Sequence, residues 1–479
     1  MSTDSNKFQA IISHCKEYGF IFQSSEIYDG LSAVYDYGQW GSELKKNIKD
    51  HWWKSMTQMN QNIVGIDAAI FMHPTTWKAS GHVDNFSDPM IDNKDSKKRY
   101  RVDHLIEAAA DQLEKDGKPE ESKSLLDEMD KLLAADDFAG LKTLIETNKI
   151  KCSVSGTSNW TDVRQFNLMF STSLGAVADE ASEIYLRPET AQGIFVNFLN
   201  VQKTGRMKIP FGIAQIGKAF RNEIVARQFV FRMREFEQME MQFFIRPGTE
   251  GEWYEHWKAE RMKWHHELGI PKEKYRFHDH VKLAHYAKAA CDIEYEFPIG
   301  FKEVEGIHSR GDFDLRQHQE YSKKKMQYFD TEINQNYIPY VIETSIGLDR
   351  TCLLVLSEAY VEEDLSTPEK TDSRVVLKFP PKLAPIKLAI LPLTKKDGLP
   401  EIAQSILDKC KPHFRCFYEE KDTIGKRYRR MDALGTPFCI TIDHQTKEDG
   451  TVTIRYRDSM KQERIQGNMV AEIIRNQIG

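Results

Sequence analysis

The spacing of apolar residues predicts two helices and a strand at the start of the chain. The first helix is expected over Phe8–Gly19 and the second over Gly41–Met59. Four residues at helical intervals form the apolar face of the second helix: Leu44, Ile48, Trp52 and Met56. A strand at Ala68–Phe71 is predicted to follow and to stop before Pro74, because proline cannot donate to a sheet ladder.

The pattern of residue types changes twice in the middle of the chain. From Lys94 to about Lys151, Ala, Glu, Lys, Asp and Leu recur at helical spacing, which predicts a small helical insertion. Trp160–Ser173 then returns to strand-like sequence, and Tyr185–Gly193 is predicted to pass from strand through turn into helix. Trp253–Leu268 is predicted to be a helix rich in aromatic residues.

Strands and helices alternate again towards the C-terminus. The predicted strands are Ile386–Pro392, Phe438–Ile442 and Thr451–Tyr456, and the predicted helices are Leu399–Cys410 and Met469–Gln477. This alternation indicates a small α/β domain with a mixed sheet. The polar segment Ser366–Ser373 is expected to be a surface loop, and Pro380 and Pro381 precede the alternation. We therefore predict two domains, residues 1–380 and 381–479, with the insertion at about 94–151 inside the first.

Composition is that of an ordinary globular protein. The chain has 479 residues, of which 40% are hydrophobic and 29% are charged. Its seven cysteines are scattered without a C-x-x-C pair, which fits reduced thiols better than disulfides or structural zinc. The first residues lack the apolar segment of a secretory signal, and no apolar run is long enough for a spanning helix. We therefore expect a cytoplasmic protein with no membrane partner and no zinc.

The charge distribution adds one detail. The net charge of −6 does not indicate a nucleic-acid-binding protein. Residues Ala384–Gly479 nevertheless contain 17 basic against 13 acidic side chains, so local phosphate contact by this region is possible. Lys426, Arg427, Arg429 and Arg430 form its densest basic segment. Two interpretations stay open for that segment, namely phosphate contact and a solvated basic turn.

Two neighbouring strand-like segments carry the most informative chemistry. The first ends in Phe220-Arg221-Asn222-Glu223, and the second holds Arg232, Phe236 and Glu240, each separated from the next by three residues. Because even spacing along a strand directs side chains to one face, a hairpin would gather two cations, an aromatic ring and two carboxylates. Arginines neutralise phosphates, a ring stacks on adenine, and carboxylates bind an amino group or a metal. The pattern therefore suits ATP.

A third element, running from Glu343 to Arg350, reads E-T-S-I-G-L-D-R. Each motif alone has a plain structural explanation, such as a solvated cross-strand pair for Arg-x-Glu. Their order is more specific: F-R-x-E, then R-x-x-x-F-x-x-x-E, then G-L-x-R resembles motifs 2 and 3 of class II aminoacyl-tRNA synthetases. The long Gly41–Met59 helix followed by a strand and proline resembles motif 1, which forms the dimer interface in that class.

Within that class the chain resembles the homodimeric glycyl-tRNA synthetases nearly from end to end. Six stretches carry this likeness: R-x-D-H-L-I-E at 101–107, R-P-E-T-A-Q-G at 187–193, R-E-F-E-Q-M-E at 234–240, G-I-H-S-R-G-D-F-D-L at 306–315, V-I-E-T-S-I-G-L-D-R at 341–350 and I-G-K-R-Y-R-R at 424–430. The C-terminal region resembles the anticodon-binding domain that the glycine, histidine, threonine and proline enzymes share.

The resemblance implies an α/β (α+β) architecture. A class II catalytic domain would be built on an antiparallel sheet with flanking helices and a helical insertion, followed by a C-terminal α/β anticodon-binding domain. It implies ATP-dependent attachment of glycine to tRNA(Gly) through glycyl-adenylate. The implied cofactor is ATP with Mg²⁺, and the implied partners are glycine, tRNA(Gly) and a second copy of the chain.

The resemblance also assigns residues to an ATP site. The implied catalytic residues are Arg221, Glu223 and Arg350. The implied ATP-binding residues are Arg221, Asn222, Glu223, Phe231, Arg232, Phe236, Glu303, Val304, Gly347 and Arg350. Arg221 would hold the α-phosphate and the amino-acid carboxylate, whereas Arg232 and Arg350 would hold the β- and γ-phosphates. Glu303 would be the carboxylate near Mg²⁺.

A glycine site follows from the same likeness. Its implied residues are Arg101, Glu189, Phe236, Glu240, Arg310, Glu343, Ser345 and Gly347. Three glutamates around one ammonium would leave no space for a side chain on Cα, which would exclude larger amino acids. Glycine has no smaller competitor, so no editing domain is expected.

The chain departs from the family pattern in a few places. His308 and Gly311 stand where Ala and Thr are more frequent, Asp29 replaces a usual Gly, and Gln39-Trp40 replaces a usual Pro-Leu. We expect these residues in loops near the site, where they would affect tRNA contact.

Two other functions compete with this one. A synthetase-like, nucleic-acid-binding accessory subunit could lose Arg221, Glu223, Arg232 and Arg350, but all four are present. A sister class II enzyme for threonine, proline or histidine is the other alternative. A threonine enzyme would need a zinc set that this sequence does not supply, and the three glutamates favour glycine.

Overall fold

The computed structural model describes residues 2–175, 183–224, 228–280, 283, 288–369 and 371–478. They form two compact units. The first unit comprises Met1–Ala69, Glu189–Lys218 and Gln228–Gly479, and the second comprises Ile70–Pro188 and Ala219–Arg227. Among the residues so described, no helix has both the length and the apolar character that crossing a membrane requires.

Helices and strands are numbered in chain order. The helices are α1 Ser2–Glu17, α2 Gln39–Thr57, α3 Pro74–Ala79, α4 His82–Asn85, α5 Val102–Lys115, α6 Pro119–Ala134, α7 Phe138–Thr147, α8 Ala191–Thr204, α9 Glu250–Glu267, α10 Phe313–Ser322, α11 Leu348–Ala359, α12 Leu399–Cys410, α13 Ile424–Leu434, α14 His444–Asp449 and α15 Val470–Ile478. The strands are β1 Ile21–Gln23, β2 Tyr35–Tyr37, β3 Ile63–Gly65, β4 Ser87–Asp92, β5 Arg99–Arg101, β6 Arg164–Asn167, β7 Ser171–Ser173, β8 Glu183–Tyr185, β9 Phe211–Phe220, β10 Glu235–Ile245, β11 Tyr275–Asp279, β12 Ala289–Phe297, β13 Gly300–Gly311, β14 Tyr328–Asp330, β15 Gln335–Tyr337, β16 Tyr340–Gly347, β17 Tyr360–Asp364, β18 Ser373–Leu377, β19 Leu388–Pro392, β20 Cys416–Tyr418, β21 Phe438–Ile442, β22 Thr451–Tyr456 and β23 Gln462–Gln466.

A seven-stranded sheet organises the first unit, in the order β11-β12-β13-β16-β10-β9-β3. The successive pairs from β11 to β10 are antiparallel, whereas β3 joins β9 in parallel. One face of this sheet packs its apolar residues against α2, α9 and α11 in the largest core. The antiparallel sheet with flanking helices that the sequence predicts is confirmed.

Helix α2 shows why the periodicity was informative. Its four predicted apolar residues are all buried in that core, and Trp52 is fully enclosed. Burying a large side chain stabilises the fold by about 1.5–3 kcal/mol, so these four apolar residues hold α2 against the sheet. Asn47, on another face of α2, donates from Nδ2 to the carbonyl oxygens of Leu383 and Ala384, 3.1 Å away in each case.

The second unit contains the insertion. Strands β5, β4 and β6 form a three-stranded sheet, and β7 pairs with β8. Helices α5, α6 and α7 enclose a separate apolar core with Trp160, whose indole N–H donates to the carbonyl oxygen of Ile150 at 3.0 Å. The predicted helical insertion is confirmed, because apolar residues at i, i+3 and i+4 supplied its core.

The C-terminal region of the first unit is built on a five-stranded sheet in the order β20-β19-β21-β22-β23. Its first two pairings are parallel and its last two antiparallel, so the predicted mixed sheet is confirmed. Helices α12 and α15 share its apolar core. The predicted bounds of α12, β21 and β22 coincide with those in the structure.

The predicted strand at Ala68–Phe71 is wrong. The strand in this region is β3, which ends at Gly65 and pairs with β9. The backbone N–H of Ala68 instead donates to the side-chain oxygen of Gln215 at 2.9 Å. A buried side chain has therefore replaced the sheet ladder that the apolar run suggested.

The basic segment near residue 427 is also not a turn. It lies on α13, where the guanidinium of Arg427 is buried and donates to the carbonyl oxygens of Pro392 at 2.7 Å and Glu419 at 3.0 Å. Arg430 pairs with Glu419 and Asp422 on a more exposed face. Arg427 therefore holds the local backbone together, and phosphate contact by its side chain is ruled out in this conformation.

Candidate active site

On the face of the central sheet opposite the largest core, polar side chains cluster beside a smaller apolar core that includes Phe244 and Val341. The residues of this polar cluster are Gln238, Glu240 and Gln242 on β10, Glu343, Ser345 and Gly347 on β16, and Gly306 and His308 on β13. The register places Glu240 opposite Ser345 and Gln242 opposite Glu343. The two-residue period of a strand thus collects the predicted glycine-site residues of the first unit on one surface.

Glu343 is the most heavily contacted carboxylate on this face. Its Oε2 accepts from Arg310 Nη1 at 3.0 Å and from Gln242 Nε2 at 2.7 Å, and its Oε1 accepts from His308 Nδ1 at 2.9 Å. Burial alone would raise its pKa, but the Arg310 charge and the His308 hydrogen bond hold the pKa of Glu343 below its ordinary range. Glu343 is therefore an anion in the empty pocket.

The pKa of Glu240 shifts in the opposite direction to that of Glu343. Its side chain is fully buried, accepts from Gln242 Nε2 at 2.8 Å and is hydrogen-bonded to the hydroxyl of Thr190. Burial, followed by the charges of Glu343 and Glu189, raises the pKa of Glu240 well above its ordinary value. Like charges that share a site cannot all ionise cheaply, so Glu240 keeps its proton to a higher pH than Glu343 does.

Glu189 completes the predicted carboxylate trio from the turn before α8. Its Oε1 accepts from Gln192 Nε2 at 3.0 Å, and the same amide nitrogen lies 3.1 Å from Asp314. His318 contacts the other end of Gln192 at 2.9 Å, and Asp314 forms two hydrogen bonds with Arg310. The pocket wall is therefore one connected network, which orients its members more firmly than isolated pairs would.

This arrangement suits a small cation. Arg310 supplies one positive charge among several carboxylates, so an incoming ammonium would be attracted and would displace the proton that Glu240 retains. The ordered walls also restrict the size of what binds.

A second set of predicted residues surrounds Arg350. The N-cap of α11 is Gly347, so strand β16 passes directly into a helix at this residue. Arg350 pairs with Glu303 at 3.0 Å, donates from Nε to the carbonyl oxygen of Phe231 at 3.2 Å and lies over the Phe231 ring at 4.4 Å. Glu303 is about half exposed, whereas Val304 is buried.

Two motif residues on this side differ from the strand prediction. Phe236 lies on β10 in the same alternating set as Glu240, as predicted. Arg232 does not share that strand, because the chain forms a 3₁₀ turn at Phe229–Phe231 and β10 begins only at Glu235. A common face for Arg232, Phe236 and Glu240 on one strand is therefore wrong.

The other predicted residues belong to the second unit. Strand β9 ends at Phe220, so Arg221 and Glu223 lie beyond the strand, contrary to prediction. The reason is that the backbone N–H of Asn222 bonds to Leu168 and that of Glu223 to Arg221, which ends the extended ladder. Arg221 Nε donates to the carbonyl oxygen of Pro188 at 3.0 Å, and its guanidinium lies 5.4 Å from the Phe86 ring centre.

Arg101 is the remaining predicted residue in the second unit. It precedes α5, and its guanidinium binds Asp103 and lies 3.3 Å from Asp88. Burial would lower its pKa, but the neighbouring carboxylates Asp103 and Asp88, with Glu223, raise the pKa of Arg101 above its ordinary value. Arg101 is thus a permanently charged group in an acidic setting.

A buried polar cluster behind the sheet ties the start of α11 to β10 and α2. Asp349 accepts from Tyr37 at 2.7 Å, from Lys45 at 2.8 Å and from the backbone N–H of Glu237 at 2.7 Å. Lys45 also pairs with Glu237 at 2.8 Å. Asp349 and Glu237 adjoin Arg350 and Phe236 in sequence, so this cluster sets the position of both.

Replacing Lys45 by alanine is expected to lower the free energy of unfolding by about 3 kcal/mol. The change would leave Asp349 buried without its cation, and that cation is strongly held: Asp349 and Glu237 raise the pKa of Lys45 despite its burial. Urea unfolding measures the effect. The matched control is Lys46→Ala, which removes an exposed lysine from the same helix and should leave stability nearly unchanged.

Sequence reasoning missed several groups that touch the predicted residues. They are Thr190, Gln192, Gln242, Asp314 and His318, together with the His308 contact to Glu343. Gln242 could have been found from its position two residues after Glu240 on a predicted strand. Gln192 lies three residues after Glu189 and Asp314 four residues after Arg310, so local spacing could have indicated both. Thr190 and His318 contact Glu240 and Gln192 only through the packing of distant segments.

Comparison with known proteins identifies the modules. Residues 170–359 match the tRNA synthetase class II core domain (G, H, P, S and T). Residues 88–125 and 118–168 match the glycyl-tRNA synthetase insertion domain 1, and residues 387–477 match the anticodon binding domain.

Curated relatives extend this similarity over nearly the whole chain. A glycine–tRNA ligase of Chlorobaculum tepidum is 56% identical over 97% of this chain and 98% of the relative. Glycine–tRNA ligases of Treponema denticola and Borreliella burgdorferi are each 51% identical, covering 98% of this chain and 97% and 98% of their own lengths. The chain therefore belongs to the glycine–tRNA ligase family of class II aminoacyl-tRNA synthetases.

Proposed function

We infer that this protein is an enzyme that activates glycine with ATP and transfers it from glycyl-adenylate to the 3′ end of tRNA(Gly). One observation carries the inference. In this chain, which belongs to the family, the buried carboxylates of Glu240 and Glu343 both accept a hydrogen bond from Gln242, and Arg310 and Glu189 belong to the same network. An accessory subunit would have no use for such a pocket, and nothing in the comparisons favours that alternative.

Activation joins the glycine carboxylate to the α-phosphate of ATP and releases pyrophosphate. The step needs no covalent enzyme intermediate, so positioning and charge stabilisation carry it. Arg221 stabilises the charge that develops between the α-phosphate and the attacking carboxylate. Arg232 and Arg350 bind the β- and γ-phosphates, Phe236 stacks on adenine, and Asn222 and Glu223 orient the nucleotide together with the region around Phe231, Val304 and Gly347.

Mg²⁺ fits the ATP side through Glu303. The carboxylate of Glu303 is about half exposed, and Mg²⁺ commonly uses one or two carboxylates besides phosphate oxygens and water. Bound there, the ion would neutralise phosphate charge. Glu303 contacts Arg350 in the structure, so the two residues would rearrange as the nucleotide enters.

Glycine selection rests on the carboxylate pocket. The ammonium group would be held by Glu189, Glu240 and Glu343, with Ser345 and Arg310 beside them, and a role for Arg101 in this site stays a prediction. Carboxylates that crowd Cα reject a methyl group sterically. No smaller amino acid competes, so the enzyme needs no editing step.

The domain assignments remain part of the proposal. Residues 1–380 would form the catalytic domain with an insertion at about 94–151, and residues 381–479 would read the anticodon. Lys426, Arg429 and Arg430 stay candidates for phosphate contact, and Arg427 drops out because it is buried. We further propose that the protein is a homodimer and that it functions in the cytoplasm.

Glycine-dependent ATP–pyrophosphate exchange tests the function directly. Exchange is expected with glycine and at background level with alanine, serine, threonine and proline. Exchange with another amino acid would preserve the class but refute the assignment of the glutamates. Absence of exchange with every amino acid would refute catalysis and favour the accessory-subunit alternative.

A further inference from the structure

His308 occupies an unexpected position. The sequence places it in a loop near the site, and that prediction is wrong, because His308 lies within β13 and pairs in register with Glu343. Its side chain is only 19% exposed, and Nδ1–H donates to Glu343 Oε1 at 2.9 Å. The imidazole is thus one of the groups that orient a carboxylate of the ammonium pocket.

The space for this ring exists because residue 306 is glycine. A Cβ atom on Gly306 would lie 2.7 Å from Cε1 of His308, closer than carbon atoms approach without displacement. Gly306 stands opposite Ser345 in the sheet register. The ring therefore fills a gap beside the pocket, and its orientation is restricted on that side.

The charged groups around His308 come from several elements. Glu343 on β16 and Arg310 on β13 share one ion pair, and Glu240 and Gln242 on β10 adjoin Glu343. On the other side, the ring of His280 is 6.0 Å away, and its Nε2 lies 2.9 Å from Asp292 on β12. His280 therefore faces Asp292, whereas His308 faces the pocket.

We propose that His308 is a positioning residue for Glu343 in glycine binding. The proposal rests on the glycine-activating function inferred above. The hydrogen bond from Nδ1–H holds Oε1 of Glu343 in one orientation, while Arg310 and Gln242 hold Oε2. A carboxylate held at both oxygens is preorganised to accept the glycine ammonium, so loss of the His308 donor weakens glycine binding.

Two substitutions test this. His308→Asn keeps a donor close to the position of Nδ1, whereas His308→Ala removes the donor. KM and kcat for glycine are measured by ATP–pyrophosphate exchange at the same pH for every variant. His308→Ala is expected to raise KM for glycine about tenfold, as for a lost hydrogen bond to a charged group, with kcat nearly unchanged.

The conservative variant separates positioning from a merely structural role. His308→Asn restores a donor towards Glu343 without restoring the ring, so it should keep KM for glycine within about threefold of the wild type. His280→Gln, which keeps a donor towards Asp292, should leave both KM and kcat for glycine unchanged.

Some outcomes would overturn the proposal while leaving the function intact. Wild-type exchange with glycine combined with an unchanged KM in His308→Ala would refute positioning. A KM in His308→Asn as high as that in His308→Ala would also refute it, because the effect would then follow the ring and not the hydrogen bond. A raised KM in His280→Gln would assign the effect to the wrong histidine. Absence of exchange in the wild type would instead refute the proposed function on which the inference depends.

Discussion

Replacing Arg221 by alanine is expected to lower glycine-dependent ATP–pyrophosphate exchange by about 10³-fold or more. Removing a charged donor aimed at a reacting phosphate commonly has an effect of this size. The fold should survive, because Arg221 is only partly buried and lies beyond the end of β9. The loss should appear in kcat, since the charge that Arg221 meets develops during the reaction.

Arg164→Ala provides the matched control. Arg164 belongs to the same unit, lies at the start of β6 and is exposed, so its removal should leave exchange within about twofold, as most surface substitutions do. Thermal unfolding of both variants verifies that the fold is retained. Near-normal exchange in a folded Arg221→Ala protein would refute the proposed role.

Glu343→Gln is expected to raise KM for glycine by about 10²–10³-fold. The substitution preserves the volume of the side chain but removes the anion that Arg310 and His308 surround at 3.0 and 2.9 Å. The positive charge of Arg310 would then lack its partner in the Glu343 carboxylate and would repel an incoming ammonium. Glycine would therefore enter a pocket with much less negative charge.

Two comparisons make the Glu343 result interpretable. Glu273→Gln makes the same chemical change on an exposed 3₁₀ turn and should leave KM unaltered. The KM for ATP should change little in Glu343→Gln, because the residue lies among the ammonium ligands and not beside Arg350. An equal loss of glycine and ATP binding would indicate a general collapse of the site and refute a specific role.

Local periodicity predicted the pocket better than it predicted the ATP motif. Glu240 and Glu343 lie within regular strands, where alternation fixes the face that each side chain occupies. Arg221, Glu223 and Arg232 lie just outside strands. A strand pattern extended past its last ladder hydrogen bond cannot anticipate where the backbone turns, because that depends on contacts such as Asn222 with Leu168.

Charged residues also show what sequence spacing predicts and what it does not. Lys45 and Lys46 are adjacent in sequence, yet one is buried against Asp349 and the other pairs with Asp50 in solvent. Arg427 and Arg430 share a basic run, yet Arg427 binds backbone carbonyls in the interior. The helical period indicates which residues share a face, but only the packing partner decides whether that face meets water.

The sequence by itself determined the class of the protein, the apolar faces of α2 and the insertion helices, the mixed sheet near the C-terminus and the three glutamates of the pocket. These features depend on residue types at short, regular spacings. The tertiary structure decided which charges are paired, why Glu240 and Glu343 have opposite pKa shifts, and that His308 belongs to the pocket wall. Those properties arise from burial and from the register of strands far apart in sequence, and both are set only when the whole sheet assembles.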